Sequence, residues 1–103
     1  MILRDIYNRQ IRFTDERWEH IRDEHPEMFE QIEKIRETLL SPDTIIKSRT
    51  DSDVELFYRY YDTTPVTRKY LCIVLKVLAD GLFIITAYFT NTIKKGELLW
   101  KKK

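Results

Sequence analysis

The amino-acid sequence predicts an α+β fold, with two N-terminal helices packed on one face of a four-stranded antiparallel sheet. Apolar residues recur at helical spacing only within the first 41 residues, and the chain after Pro42 consists of β-rich runs. Short connections between these runs are typical of an antiparallel meander, whose apolar face the helices must cover. At 103 residues, of which 43% are hydrophobic, the chain is predicted to be a single domain, residues 1–103.

The first 41 residues are expected to form an extended segment, residues 1–13, followed by two helices within residues 14–41. Thr14 is a suitable N-cap for the first helix, since its hydroxyl can accept from the orphan N–H groups of the first turn. Pro26 suits the first position of the second helix, where its missing N–H costs nothing. Met28, Ile32, Ile35 and Leu39 follow at helical spacing.

The meander is predicted to span residues 44–90, and residues 91–103 form a basic tail that returns along the sheet. Asp80-Gly81 lies between two β-rich runs and indicates a tight hairpin in which Gly81 adopts positive φ. The four predicted strands are Thr44–Thr50, Val54–Tyr61, Lys69–Ala79 and Leu82–Thr90.

The formal net charge of +1 conceals an asymmetry along the chain. Residues 1–43 contain seven Lys/Arg and eleven Asp/Glu, whereas residues 44–103 contain eleven Lys/Arg and six Asp/Glu. This distribution predicts an acidic layer and a basic layer, and the basic layer suits a polyanionic partner. The alternative is that both are ordinary solvated surfaces.

Several classes of protein are not expected from this composition. The longest apolar run, Leu71–Leu75, is far below the ~20 residues of a membrane span, and the charged N-terminus lacks a secretory signal. Cys72 is the single cysteine, so neither an internal disulfide nor a zinc framework is expected. We therefore expect a cytoplasmic protein with no membrane partner.

Strand periodicity predicts which side chains face the helices. Because side chains alternate along a strand, the apolar odd-numbered residues of the last two strands are assigned to the core: Leu71, Ile73, Leu75, Val77, Phe83, Ile85, Ala87 and Phe89. In the strand Val54–Tyr61 the even-numbered residues are assigned to the core instead. The opposite, open face then carries Lys47, Arg49, Phe57, Arg59, Tyr61, Lys76, Thr86, Tyr88 and Thr90.

Cations, aromatic rings and hydroxyls on one face match the needs of single-stranded nucleic acid, which requires phosphate neutralisation and base stacking. Lys76 interrupts an apolar strand, so its ammonium is either solvated or serves an anion. The alternatives are that Lys76 extends to solvent and that Tyr61 and Tyr88 are cross-strand packing partners.

The two histidines, His20 and His25, are candidates for acid–base chemistry near neutral pH. Their i, i+5 spacing places them about 140° apart around a helix, which does not suit a shared metal ion. We therefore expect no metal and no cofactor. The alternative for His25 is a capping role at the junction between the helices.

Between about residues 11 and 100 the chain carries four short motifs and a basic segment. They are Thr14-x3-Trp18-x-His20-Ile21-x3-His25-Pro26-Glu27, Pro42-Asp43-x-Ile45-x2-Ser48-Arg49, Leu56-Phe57-Tyr58-Arg59, Ile85-Thr86-Ala87-Tyr88-Phe89-Thr90 and Lys94-Lys95-Gly96. The set resembles the phage-type branch of the barnase–EndoU–colicin–RelE-like (BECR-fold) nucleases.

The resemblance implies a helical part on a four-stranded antiparallel sheet and metal-independent cleavage of RNA, by attack of the ribose 2′-hydroxyl on the adjacent phosphate. It also implies an association with toxins, phages or mobile elements, and hence a cognate antitoxin or immunity protein as partner. The motif positions that it marks as catalytic are His20, His25, Arg49, Arg59, Thr86 and Tyr88. The face argument adds Lys76 to these and assigns nucleic-acid contacts to Lys47, Phe57, Tyr61, Thr90, Lys94 and Lys95.

Two other functions stay open at the level of sequence. One is a non-catalytic module of the same shape that binds RNA or a protein through its sheet. The other is a phage-derived domain that acts on a different nucleotide-like substrate.

Overall fold

The computed structural model describes residues 1–103 and confirms the α+β class. The chain forms one seven-stranded sheet, two helices and one 3₁₀ turn. In chain order the elements are β1 (Ile2–Arg4), β2 (Gln10–Arg12), α1 (Asp15–Glu24), the 3₁₀ turn (Pro26–Met28), α2 (Ile32–Leu40), β3 (Thr44–Lys47), β4 (Val54–Tyr61), β5 (Lys69–Leu78), β6 (Gly81–Thr90) and β7 (Glu97–Lys101).

The helices begin and end at residues with identifiable capping roles. The Thr14 hydroxyl accepts from the Arg17 N–H at 3.1 Å, which confirms the predicted N-cap of α1. Pro26 opens only a single 3₁₀ turn, and Glu30 follows with φ +64°. α2 therefore begins later than the sequence predicts, at Ile32. Neither helix combines the length and hydropathy that a membrane span requires.

The sheet is larger than predicted. Its strand order is β1-β2-β6-β5-β4-β3-β7, and β2 pairs with β6 in parallel, so the sheet is mixed. The expected four-stranded antiparallel meander forms its centre. The expectation of only four strands was wrong because both meander edges offer unpaired backbone groups, which β2 and β7 satisfy. The predicted extended segment, residues 1–13, forms β1 and β2, so the helices follow two strands.

The β5–β6 hairpin lies where Asp80-Gly81 predicts it. Gly81 adopts φ +156°, as expected. Because Leu78 pairs with Gly81, however, the two loop residues are Ala79 and Asp80. The turn is displaced by one residue from the prediction.

The main core lies between the helices and the sheet. Leu71, Ile73 and Leu75 face it, as predicted. Phe57 is also fully buried there, so the assignment of β4 to faces was wrong. β4 pairs with β5 so that Phe57 lies opposite Ile73, and cross-strand partners share a face.

A β-bulge changes the face of the sheet to which the side chains at the start of β6 point. The register shifts between Val74, which pairs with Thr86, and Leu75, which pairs with Ile84. The extra residue, Ile85, packs on the face away from the helices, while Ile84 is buried in the main core. The predicted orientation is therefore confirmed for Ala87 but wrong for Ile85.

Candidate functional site

The open face of the sheet, which points away from the helices, carries side chains in cross-strand rows. One row is Tyr58–Cys72–Tyr88, and the next row is Leu56–Val74–Thr86. A second, smaller hydrophobic cluster lies under this face, formed by Ile46, Val54, Leu56, Tyr58 and Cys72. The open face is thus an apolar platform with polar side chains in defined positions.

His25 reaches this platform around a free edge of the sheet. β2 pairs with β6 only at Leu82 and Phe83. The second half of β6 therefore has no strand on the edge opposite β5. Helix α1 and the 3₁₀ turn pack against β6, and His25 lies at the junction between them. The imidazole ring lies 5.6 Å, centroid to centroid, from the ring of Tyr88. A helix-borne histidine and the sheet therefore share one site.

Tyr88 is a protonated phenol in this environment. Burial raises its pKa well above the ordinary value, and the neighbouring Cys72 thiol adds to the shift. Burial likewise raises the pKa of Tyr58, on the other side of Cys72, and the Tyr58 hydroxyl accepts from the backbone N–H of Lys94 at 3.1 Å. Both phenols keep their protons at neutral pH, so Tyr88 can donate to a ligand oxygen.

The His25 imidazole has a carboxylate beside one nitrogen. Glu27 Oε1 lies 3.6 Å from Nδ1, and the His25 side chain is 32% exposed. The Glu27 carboxylate lies on the Nδ1 side of the ring, which leaves Nε2 to exchange a proton with a ligand. This arrangement suits a general base.

Arg22 lies close to His25 along α1, although the sequence analysis did not single it out. It lies three residues before His25, on the same side of α1. Its guanidinium stacks over Trp18 at 5.1 Å, and its buried Nε has no hydrogen-bond partner. An arginine that borders the apolar arc Trp18–Ile21–His25 is the signal that could have identified it.

Thr86 Oγ1 is likewise buried without a hydrogen-bond partner, on the strand that carries Tyr88. We call Arg22, His25, Thr86 and Tyr88 the histidine cluster. Two of its four members thus carry buried polar atoms that the protein itself leaves unsatisfied, which is unusual in a folded core. Such donors are suited to an anionic ligand with several oxygens.

A model of the family PBECR2, described as phage-Barnase-EndoU-ColicinE5/D-RelE like nuclease2, matches residues 1–101. The chain belongs to this nuclease family. The match covers every helix and strand and confirms the resemblance drawn from the motifs. Neither the curated proteins nor the solved structures include a significant match.

In this PBECR2 nuclease, several other predicted residues also lie on or beside the open face. Lys76 points to this face, as expected, but its Nζ lies 2.5 Å from Asp51 Oδ2 in an ion pair. Arg49, Lys94 and Lys95 line a groove on the same face. Thr90 lies in the row of Tyr70 and interacts with Thr92 at the end of β6.

Four residues predicted for the open face lie on the helix side of the sheet instead. Phe57 is buried in the main core, and Lys47 pairs across the strands with Glu55. Arg59 donates to the Ser41 carbonyl at 2.6 Å, and the Tyr61 hydroxyl donates to Glu37 at 2.6 Å. The pairing of β4 with β5 turns Phe57, Arg59 and Tyr61 away from the open face, and the pairing of β3 with β4 does the same for Lys47.

His20 is separated from the histidine cluster. Its side chain is 55% exposed, and its Nε2 lies 2.6 Å from Glu24. The PBECR2 chain contains no group of three or more His, Cys, Asp or Glu side chains that could hold a metal ion. Of the two histidines, only His25 is brought to the sheet.

Proposed function

We propose that this PBECR2 nuclease is an endoribonuclease that acts without a metal ion, with the histidine cluster as its active site. The contact between His25 and Tyr88 on the sheet is the observation that supports this proposal most strongly. It places an imidazole, which can accept a proton, beside a phenol that stays protonated. Acid–base cleavage of RNA needs both a proton acceptor and fixed donors.

His25 accepts the proton of the ribose 2′-hydroxyl through Nε2, and the Glu27 carboxylate on the Nδ1 side favours the imidazolium that forms. The 2′-oxygen attacks the adjacent phosphorus, and the bond from phosphorus to the 5′-oxygen breaks. Water protonates the departing 5′-oxygen. The products are a 2′,3′-cyclic phosphate and a 5′-hydroxyl.

Negative charge grows on the non-bridging phosphate oxygens during this step. Arg22, Thr86 and Tyr88 supply donors for those oxygens in a partly buried site, where fixed dipoles and charges act most strongly. The guanidinium of Arg22 is held by stacking on Trp18 and not by a carboxylate, so binding a phosphate breaks no ion pair.

We further propose that the enzyme acts on RNA in the cytoplasm, as a toxin or as a phage or mobile-element nuclease. The family description, a phage nuclease, supports this role. A cognate antitoxin or immunity protein would then be acidic, because it would compete with RNA for the cations of the open face.

The decisive experiment incubates the purified protein with end-labelled RNA in EDTA and analyses the new ends. We expect 2′,3′-cyclic phosphate ends, and we expect no cleavage where a single 2′-deoxynucleotide replaces the cleaved nucleotide. Cleavage that requires a divalent cation, or that leaves 5′-phosphate ends, contradicts the proposal. Binding without cleavage would instead indicate the non-catalytic module.

A further inference from the structure

A second site lies on the open face beside the histidine cluster. It is a groove of about 400 Å³ between the β3–β4 loop, residues 48–51, and the β6–β7 loop at Lys94 and Lys95. Its apolar floor is formed by Val54, Leu56 and Val74. We call it the basic groove.

Both walls of the basic groove are held in place by the protein. The backbone N–H of Lys94 donates to the Tyr58 hydroxyl, and Ile93 packs on the smaller hydrophobic cluster. Gly96 approaches β3 so closely that a Cβ there would lie 2.3 Å from the Lys47 carbonyl oxygen. On the other wall, the Ser48 hydroxyl accepts from the Thr50 N–H. The groove is therefore preformed.

The charge of the basic groove is strongly positive. Asp51 is its one acidic lining residue, and the Lys76 ammonium lies 2.5 Å from that carboxylate. The hydrogen bond from Lys76 also holds the pKa of Asp51 below its ordinary value. Arg49, Lys94 and Lys95 have no carboxylate within ion-pair distance. Three cations are thus left for an external anion.

We propose that the basic groove binds a nucleotide of the substrate strand that flanks the scissile phosphate. Arg49, Lys94 and Lys95 contact its phosphate, and its base lies on the apolar floor. This inference rests on the proposed function in one respect, because it takes the scissile phosphate to lie at the histidine cluster.

The sheet register sets the distance between the two sites. Leu56, in the floor of the groove, and Thr86, in the histidine cluster, occupy the same cross-strand row. They are two strands apart, so at a strand spacing of about 4.8 Å their backbones are separated by about 10 Å. Neighbouring phosphates of an extended single strand lie farther apart than the roughly 3.4 Å per nucleotide of a stacked duplex strand, so the groove receives a nucleotide about one to three positions from the cleaved bond. A dinucleotide has a single internucleotide phosphate, so it cannot place one phosphate at the histidine cluster and another in the groove.

In this arrangement Lys76 is a positioning residue that acts through Asp51. Without the ammonium, the Asp51 carboxylate would face the bound phosphate and repel it. The alternative role is a direct contact between Lys76 and the phosphate. The two roles predict opposite effects on RNA binding when Lys76 and Asp51 are both replaced.

The first test measures the affinity of non-cleavable 2′-O-methyl RNA, either two or eight nucleotides long, by fluorescence anisotropy. Arg49→Gln/Lys95→Gln should raise the Kd of the octamer about tenfold and leave the Kd of the dinucleotide unchanged. The slope of log K against log salt concentration for the octamer should decrease in magnitude by about 1.4, because two cations are lost. Arg68→Gln, an exposed cation outside the groove, is the matched control. Equal effects on both lengths, or none, overturn the groove as a binding site.

The second test compares Lys76→Met with Lys76→Met/Asp51→Asn. We expect the single variant to weaken octamer binding severalfold and the double variant to restore it. A double variant as weak as the single one overturns the role of Lys76 through Asp51. Thermal melting of both variants establishes that the fold is intact, and Asp51→Asn alone provides a second folded reference.

These measurements do not depend on cleavage. If the wild-type protein binds the octamer with this length dependence but does not cleave RNA, the proposed function fails and the groove stands. If RNA is cleaved while the groove variants bind octamer and dinucleotide like wild type, the groove fails and the proposed function stands.

Discussion

The imidazole of His25 lies 5.6 Å from the ring of Tyr88, although His25 ends helix α1 and Tyr88 lies in the sheet. The contact exists because β2 covers only the first part of β6, so the helix can pack against the free edge of that strand. Around this contact the protein leaves Arg22 Nε and Thr86 Oγ1 without partners.

His25→Ala should reduce the rate of RNA cleavage by on the order of 10²- to 10⁴-fold, the usual contribution of a general base. His20→Ala is the matched control, because His20 is exposed and paired only with Glu24. Single-turnover cleavage of one labelled oligonucleotide by both variants provides the comparison. Equal losses in the two variants would refute the assignment of His25 as the base.

Arg22→Ala should lower kcat roughly 10²- to 10³-fold, since it removes a donor to the charge that develops on the phosphate. Arg22→Lys should recover little, because an ammonium provides neither the planar fork nor the stacking on Trp18. Steady-state kinetics on one substrate gives kcat and KM for each variant. Arg36→Ala, which removes an arginine of α2 that pairs with Glu33, should leave both parameters unchanged.

Arg59→Ala should affect stability and not chemistry. Its guanidinium donates to the Ser41 carbonyl at the end of α2, and losing that bond should destabilise the fold by about 1 to 3 kcal/mol. Urea unfolding measures the free energy, and cleavage per folded molecule measures the chemistry. A large loss of cleavage with unchanged stability would contradict this prediction and indicate that Arg59 acts in catalysis.

Tyr61 should make the fold sensitive to alkaline pH. Burial, followed by the hydrogen bond to Glu37, raises its pKa from 10.0 to about 12. Above pH 10 the unfolded chain loses the phenolic proton while the folded chain retains it, so stability is full below pH 10 and falls as pH rises towards 12. Tyr61→Phe should therefore lessen this fall in urea unfolding between pH 10 and 12. Tyr60→Phe, at an exposed tyrosine, should leave the slope unchanged.

Local signals in the sequence were sufficient for the α+β class, for the start of α1 at Thr14 and for the bounds of β4. They also identified the hairpin near Gly81 and the inward face of β5. Each of these depends on neighbours in the chain: a capping hydroxyl, a glycine at positive φ, or a strongly one-sided alternation. The family followed from short motifs for the same reason, since each motif is contiguous.

The tertiary structure alone decided which face of β4 points outwards, because the set that contains the charged Glu55 and Arg59 faces the helices and only the register with β5 shows this. It also decided the bulge at Ile85, which reverses the faces to which the side chains at the start of β6 point. The addition of β1, β2 and β7 to the sheet was likewise decided by tertiary pairing. The site depends on these long-range choices. His25 meets Tyr88 only because α1 packs on a free strand edge, and no spacing along the chain encodes that contact.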